Sequence, residues 1–117
     1  MTPEQRRKFW ATVGDIAKQV PLVINGQPHM ADKESWRLVF CAGLTGETRI
    51  ADGINGEKVV LGLRLRDIFA GLSPEDAKRR ASDLIELVTM FAHAHEVRLS
   101  DPEESALRAA HEREVRA

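Results

Sequence analysis

The sequence predicts a helix-dominated α+β fold, about four helices with a small β-sheet or hairpin, and three observations carry that prediction. Apolar residues recur at helical spacing in separate runs: Phe9, Val13, Ile16 and Val20; then Trp36, Val39 and Phe40; then Ala77, Ala81, Leu84, Val88 and Phe91. A residue suited to cap a helix stands before each run, namely Thr2, Asp32 and Ser73. Strand-like alternation is confined to short pieces around Asn25-Gly26 and between Lys58 and Leu65.

The first helix is expected from about Pro3 to Gln19. Thr2 can cap it, Pro3 suits its first position, Gln5 completes a Thr-x-x-Gln capping box, and Pro21 stops it. Asn25-Gly26 between β-prone pieces predicts a tight hairpin over Leu22 to His29, kept short by Pro21 and Pro28. Asp32 caps a second helix from about Lys33 to Leu44, with Trp36, Val39, Phe40 and Gly43 on its inward face. The Gly-rich stretch Thr45 to Glu57 reads as a mobile connection with room for a short strand at Arg49 to Ala51.

Lys58 to Leu65 reads as the best strand. Val59, Leu61, Leu63 and Leu65 share its apolar face, and Lys58, Arg64 and Arg66 share the other. A short helical turn closed by Gly71 follows. Ser73-Pro74-Glu75-Asp76 then opens the longest helix. Ser100-Asp101-Pro102-Glu103 caps a last helix, from about Pro102 to Arg116, whose apolar face is only Ala106, Leu107, Ala110 and Val115. A face so thin suits a dimer arm or a frayed tail.

With 117 residues and 43% hydrophobic content, residues 1–117 read as one domain. Charged residues make up 30% of the chain but nearly cancel to −1, so nucleic-acid binding would have to come from local clustering. The single Cys41 excludes an internal disulfide and falls in an apolar helical run, where a buried, inert thiol is expected; a cytoplasmic location fits. No run approaches the roughly 18 apolar residues of a membrane span, and no apolar signal core follows the polar N-terminus.

Motifs for covalent chemistry are absent: no phosphate loop, CxxC, HExxH or GxSxG occurs, and the acids are scattered through caps and solvent faces. His93 and His95, two apart on a helix, point to nearly opposite sides and do not share a metal. No catalytic residue, metal or cofactor is predicted.

Gln5-Arg6-Arg7-Lys8-Phe9-Trp10 is the informative stretch. Trp10 falls on the edge of the first apolar stripe, Arg6 precedes it by one helical turn, and Arg7, Gly14 and Lys18 lie farther round. Two readings of Trp10 are open on these residues: a ring that stacks a base among phosphate-binding cations, or a core-edge anchor. Gln5 has capping as an alternative task, and Trp36 is expected in the core. Arg64 and Arg66, with Lys78 and Arg79 in the longest helix, are further basic candidates, against the alternative of solvated surface charge.

Gln5-x-Arg7-Lys8-x-Trp10-Ala11-x-x-Gly14-Asp15, then Gln19-Val20, Asp32-x-Glu34-Ser35-Trp36 with Val39-Phe40, and Val59-Val60-Leu61-Gly62 resemble the NinB (Orf) family of phage recombination proteins. Glu86-Leu87, Phe91 and Ser100-Asp101 extend the resemblance over most of the chain. It implies a non-catalytic recombination mediator that binds single-stranded DNA, associates with the host single-strand-DNA-binding protein and assists recombinase loading. It also implies an intertwined α+β homodimer around a basic cleft, working in the host cytoplasm.

By motif, Gln5, Arg7, Lys8 and Trp10 match residues linked with the DNA-binding surface. Arg6, Lys18, Arg64, Arg66, Lys78 and Arg79 join them from charge pattern alone, since Leu63 to Ala81 diverges from the family. The resemblance also implies a β-rich segment before the motif, whereas Met1 stands almost directly in front of it, so part of the sheet and of the binding surface is expected to be missing. The rival expectation is a helical dimerisation or adaptor module that docks recombination or replication proteins without touching DNA. A regulator of duplex DNA fits less well, because no predicted helix is evenly basic.

Overall fold

The structure, a computed structural model, describes residues 1–100. The predicted last helix lies outside the described residues. Three long helices carry the core and two short hairpins stand at its margin.

Helix α1 spans Pro3–Gln19 and begins as its sequence dictates. The Gln5 backbone N–H donates to Thr2 Oγ1 at 3.1 Å, and the Thr2 N–H donates to Gln5 Oε1 at 2.9 Å, which satisfies two otherwise orphaned donors. Its buried face is Phe9, Val13 and Ile16, all fully enclosed. Strands β1 (Leu22–Ile24) and β2 (Gln27–His29) pair antiparallel, with Val23 opposite Pro28. Asn25 and Gly26 take φ of 51° and 78°, the positive pair that a tight two-residue turn demands.

Helix α2 (Lys33–Thr45) is capped by Asp32, whose Oδ1 accepts from the Ser35 N–H at 2.8 Å, and ends on Gly46 at φ 71°. Its inward face differs from the expected one. Trp36, Phe40 and Cys41 are buried, whereas Val39 is 42% exposed and Gly43 is exposed too. The helix packs against both α1 and α4, and it is Cys41 rather than Val39 that is enclosed.

Strands β3 (Arg49–Asp52) and β4 (Lys58–Leu61) form the second antiparallel hairpin, with Ile50 opposite Val60. The strand predicted to reach Leu65 therefore stops at Leu61, and its apolar face is not covered: Val59 and Leu61 are 38% and 48% exposed. The physical reason lies just beyond. Gly62 passes so close to α2 that a Cβ there would sit 1.6 Å from Leu38 Cδ2, and the Arg37 guanidinium then holds the Leu63 carbonyl. Helix α3 (Leu65–Phe69) follows at once, because the Asp67 carboxylate accepts from the Arg64 N–H at 2.9 Å. Leu63 and Leu65 are buried by a loop and a helix turn rather than by a sheet face. Arg64 and Arg66 are likewise not on a strand.

Helix α4 (Pro74–Ala94) is capped by Ser73 and buries Ala81, Leu84, Val88 and Ala92. Arg80, the neighbour of Lys78 and Arg79 in the sequence, is half-buried and donates to the Ile68 carbonyl at 2.9 Å, which ties α4 to α3. After α4 the chain returns along α1. Val97 and Leu99 enter the core, the Gln19 amide makes two 2.8 Å hydrogen bonds to the Arg98 backbone, and Asp15 Oδ2 accepts from the Ser100 N–H and hydroxyl at 2.8 and 2.9 Å. Those bonds satisfy Asp15, which is itself buried.

Candidate nucleic-acid interface

The capped start of α1, the first turn of α2 and the short α3 converge, and the residues between them form a hollow of about 320 Å³ lined by Arg6, Trp10, Glu34, Arg37, Arg64, Leu65 and Arg66. Each wall has its own local cause. Phe9, locked in the core, fixes the rotation of α1, so Trp10 and Arg6 emerge one turn apart beside the α2 start. The Asp32 cap fixes the first turn of α2, setting Lys33, Glu34 and Arg37 opposite. The chain from Gly62 to Asp67, held by Arg37 and by the Asp67 cap, delivers Arg64 and Arg66 to the third wall.

Trp10 is half-buried: its ring meets Phe9 edge-on, centroids 5.2 Å apart, and Lys33 Nζ lies 5.6 Å from the ring centroid. The indole is therefore neither enclosed nor bare, and it already holds a cation against its face. Trp36, by contrast, is 3% exposed, packs against Phe40 and Phe91, and belongs to the core as its stripe predicts.

The hollow is strongly positive. Four guanidinium groups face one carboxylate, Glu34, whose Oε2 lies 3.1 Å from Arg37 Nε. Arg64 stands 3.9 Å from Asp67, a loose contact, and among the described residues no ion pair engages Arg6 or Arg66. The Arg64 backbone N–H, followed by the Arg49 guanidinium at 2.7 Å, holds the Asp67 carboxyl below the usual carboxylate range. Asp67 thus caps the start of α3 and pairs with Arg49, outside the hollow. A chain with nearly balanced charge still concentrates positive potential here, where anions are favoured.

The structure brings together Arg6, Trp10, Arg64 and Arg66 of the residues singled out in the sequence. Gln5 is spent on the α1 cap, Lys8 is half-buried, and Arg7 and Lys18 are exposed elsewhere on α1 without lining the hollow. Lys78 and Arg79 are exposed in the first turns of α4, also outside it. Sequence reasoning missed Lys33, Glu34 and Arg37. The three-residue spacing of Glu34 and Arg37 signals a pair on one helix face, but nothing local signals that this face meets Trp10. Among the described residues, no group of three or more His, Cys, Asp or Glu is placed to hold a metal ion, and no helix is long and apolar enough to cross a membrane.

Fold and hollow together define a helix-dominated α+β protein with a tryptophan set among arginines on an open surface. Its relatives narrow that class. The family profile described as NinB protein matches residues 2–100, and the chain belongs to the NinB family. It is 29% identical over 104 residues to Protein ninB of Escherichia phage lambda and 30% identical over 107 residues to Protein ninB of Salmonella phage P22. Each alignment takes in 89% of this chain and 63% of the relative, so the chain spans a little under two thirds of the length of these phage proteins. A solved structure titled "Structural Genomics, NinB" superposes on the whole chain and on 72% of its own length, with a TM-score of 0.63 and 28% identity.

Proposed function

We propose that this protein is a non-catalytic recombination mediator that binds single-stranded DNA in the Trp10 hollow and assists recombinase loading together with the host single-strand-DNA-binding protein. The observation that carries the reading is the meeting of a partly exposed indole with Arg6, Arg64 and Arg66 from separate parts of the chain. Phosphates supply most of the affinity by releasing counterions, and Trp10 adds a stacking surface that accepts any base. Lys33 leaves the ring face as a base arrives and takes up a phosphate instead. A duplex keeps its bases paired and stacked inside, so an aromatic platform of this kind favours unpaired strands. Membership of a family whose relatives include phage proteins is consistent with a role in phage recombination.

The mediator works as a homodimer in this reading. Ile50 and Val60, paired across the β3–β4 hairpin, are 65% and 66% exposed, and Ile54 at its tip is 98% exposed. Such an apolar surface suits a protein contact. It also favours a second reading, an adaptor that docks recombination or replication proteins without touching DNA.

Fluorescence anisotropy with labelled oligonucleotides at two salt concentrations separates the two. The mediator gives saturable binding to single strands that weakens as salt rises, with duplex bound less well. The adaptor gives no saturable signal.

A further inference from the structure

Glu34 is the odd residue of the Trp10 hollow. The other charged groups that line it, Arg6, Arg37, Arg64 and Arg66, all favour phosphate, whereas a carboxylate in their midst repels it. Nor is Glu34 loosely placed. Its Oε2 accepts from Arg37 Nε at 3.1 Å, and the same guanidinium donates through Nη1 to the Leu63 carbonyl, so Arg37 is fixed from two directions. The Arg37 side chain is 12% exposed and that of Glu34 59%, which sets an open acceptor on a largely buried prop. A carboxylate offers about four lone-pair sites, and Arg37 takes one.

We propose that Glu34 reads the base stacked on Trp10 and makes guanine the preferred one, an inference that rests on the single-strand reading. Stacking alone accepts any base, so a preference has to come from a base edge. Glu34 can only accept, and it therefore selects an edge that donates. Guanine is the one DNA base with two adjacent donors, N1–H and the N2 amino group, on its Watson–Crick edge, spaced to meet the two oxygens of one carboxylate. Adenine and cytosine present one amino group beside a ring nitrogen whose lone pair faces the carboxylate, and thymine presents one N–H between two carbonyls.

The arginines favour the same base from its other side. Guanine O6 and N7 together accept from a guanidinium, the commonest specific contact in base recognition, and Arg6, Arg64 and Arg66 line the same hollow. Guanine alone thus matches both signs of charge around Trp10. In a duplex the Watson–Crick edge is already paired, which confines this readout to unpaired strands.

The test is anisotropy titration of short labelled strands in which thymine alternates with guanine, inosine or cytosine, beside an all-thymine strand. The guanine strand is expected to bind about ten-fold tighter than all-thymine, the effect of one good bidentate contact. Inosine keeps the purine ring and N1–H but lacks the N2 amino group, so it controls for stacking and is expected to bind at least about three-fold more weakly than guanine. Glu34→Gln keeps a helix former at an exposed first-turn position of α2, and a thermal melt checks its fold. It is expected to close the gap between guanine and inosine without weakening the all-thymine strand, because a negative charge leaves the hollow.

Equal binding of guanine and inosine strands overturns the edge contact, and a guanine preference that survives Glu34→Gln overturns its assignment to Glu34. Affinity falling by one common factor on every strand in Glu34→Gln makes the carboxylate a support for Arg37 and overturns the readout. Deoxyguanosine monophosphate competing as well as the guanine strand reassigns the hollow to a free nucleotide. Saturable binding indifferent to base overturns this inference and leaves the single-strand reading standing; no saturable binding to any strand removes both.

Discussion

Replacing Trp10 by alanine separates the two tasks an aromatic ring can perform at this position. In the folded protein the truncation removes an edge-on packing with Phe9 at 5.2 Å and a cation held 5.6 Å from the ring centroid. The first is worth about 0.5–1.5 kcal/mol and the second about 0.5–1 kcal/mol at an exposed site. Together they lower the melting temperature by roughly 5 to 12 °C in a domain of this size, leaving it folded at room temperature. The loss of stacking acts on the complex alone. At about 1–3 kcal/mol for one base it raises the Kd for a labelled oligonucleotide by roughly one to two decades.

Trp10→Phe keeps a ring face and is expected to recover most of that affinity. The assay is anisotropy titration below the melting transition, run beside a thermal melt of each variant. A Trp10→Ala protein that melts earlier yet binds the oligonucleotide as tightly as the unaltered protein refutes the reasoning, because the indole then serves only to pack against Phe9.

Other substitutions test the surroundings. Arg66→Ala should reduce the slope of log affinity against log salt by about 0.7 for each phosphate it no longer neutralises, whereas Lys78→Ala, outside the hollow, should leave it unchanged in the same titrations. Asp67 has its carboxyl held low by the Arg64 N–H and then by Arg49, so its contribution is present above the ordinary Asp value of about 3.9 and disappears as pH falls through the lower folded value. Acid unfolding followed by circular dichroism should show that loss in the unaltered protein, and Asp67→Asn should be less stable at neutral pH and flatter in that acid range. Burial pushes the Cys41 thiol up, so an aromatic disulfide reagent should react at a rate set by unfolding and reach full reaction only in denaturant.

Elements whose causes are local were legible in the sequence. Thr2 with Gln5, Asp32 with Ser35, and Asn25 with Gly26 each specify a cap or a turn within four residues, and the structure places α1, α2 and the first hairpin accordingly. Period alone misled between Lys58 and Leu65. The alternation continues through Leu63 and Leu65, but the close pass of Gly62 by Leu38 and the Asp67 cap convert its second half into a loop and a helix turn.

The inward position expected for Val39 fails for a similar reason, since a stripe on one helix cannot reveal which of its sides two neighbouring helices cover. The site shows the same division. Trp10 and Arg6 were legible because one helix turn joins them. Lys33, Glu34 and Arg37 reach Trp10 only through the packing of α2 on α1, and Arg64 and Arg66 reach it only through the sharp exit from β4. The tie between Asp15 and Ser100, separated by most of the chain, had no local signal at all.

Photochemical cross-linking of an oligonucleotide carrying 5-iodouracil, followed by peptide mapping, tests the single-strand hollow most directly. Cleavage after Lys8 and Lys18 isolates Trp10 in the fragment Phe9 to Lys18. Adducts concentrated on Trp10 in that fragment are the predicted result; adducts confined to the β3–β4 hairpin or to α4, with that fragment unmodified, contradict it.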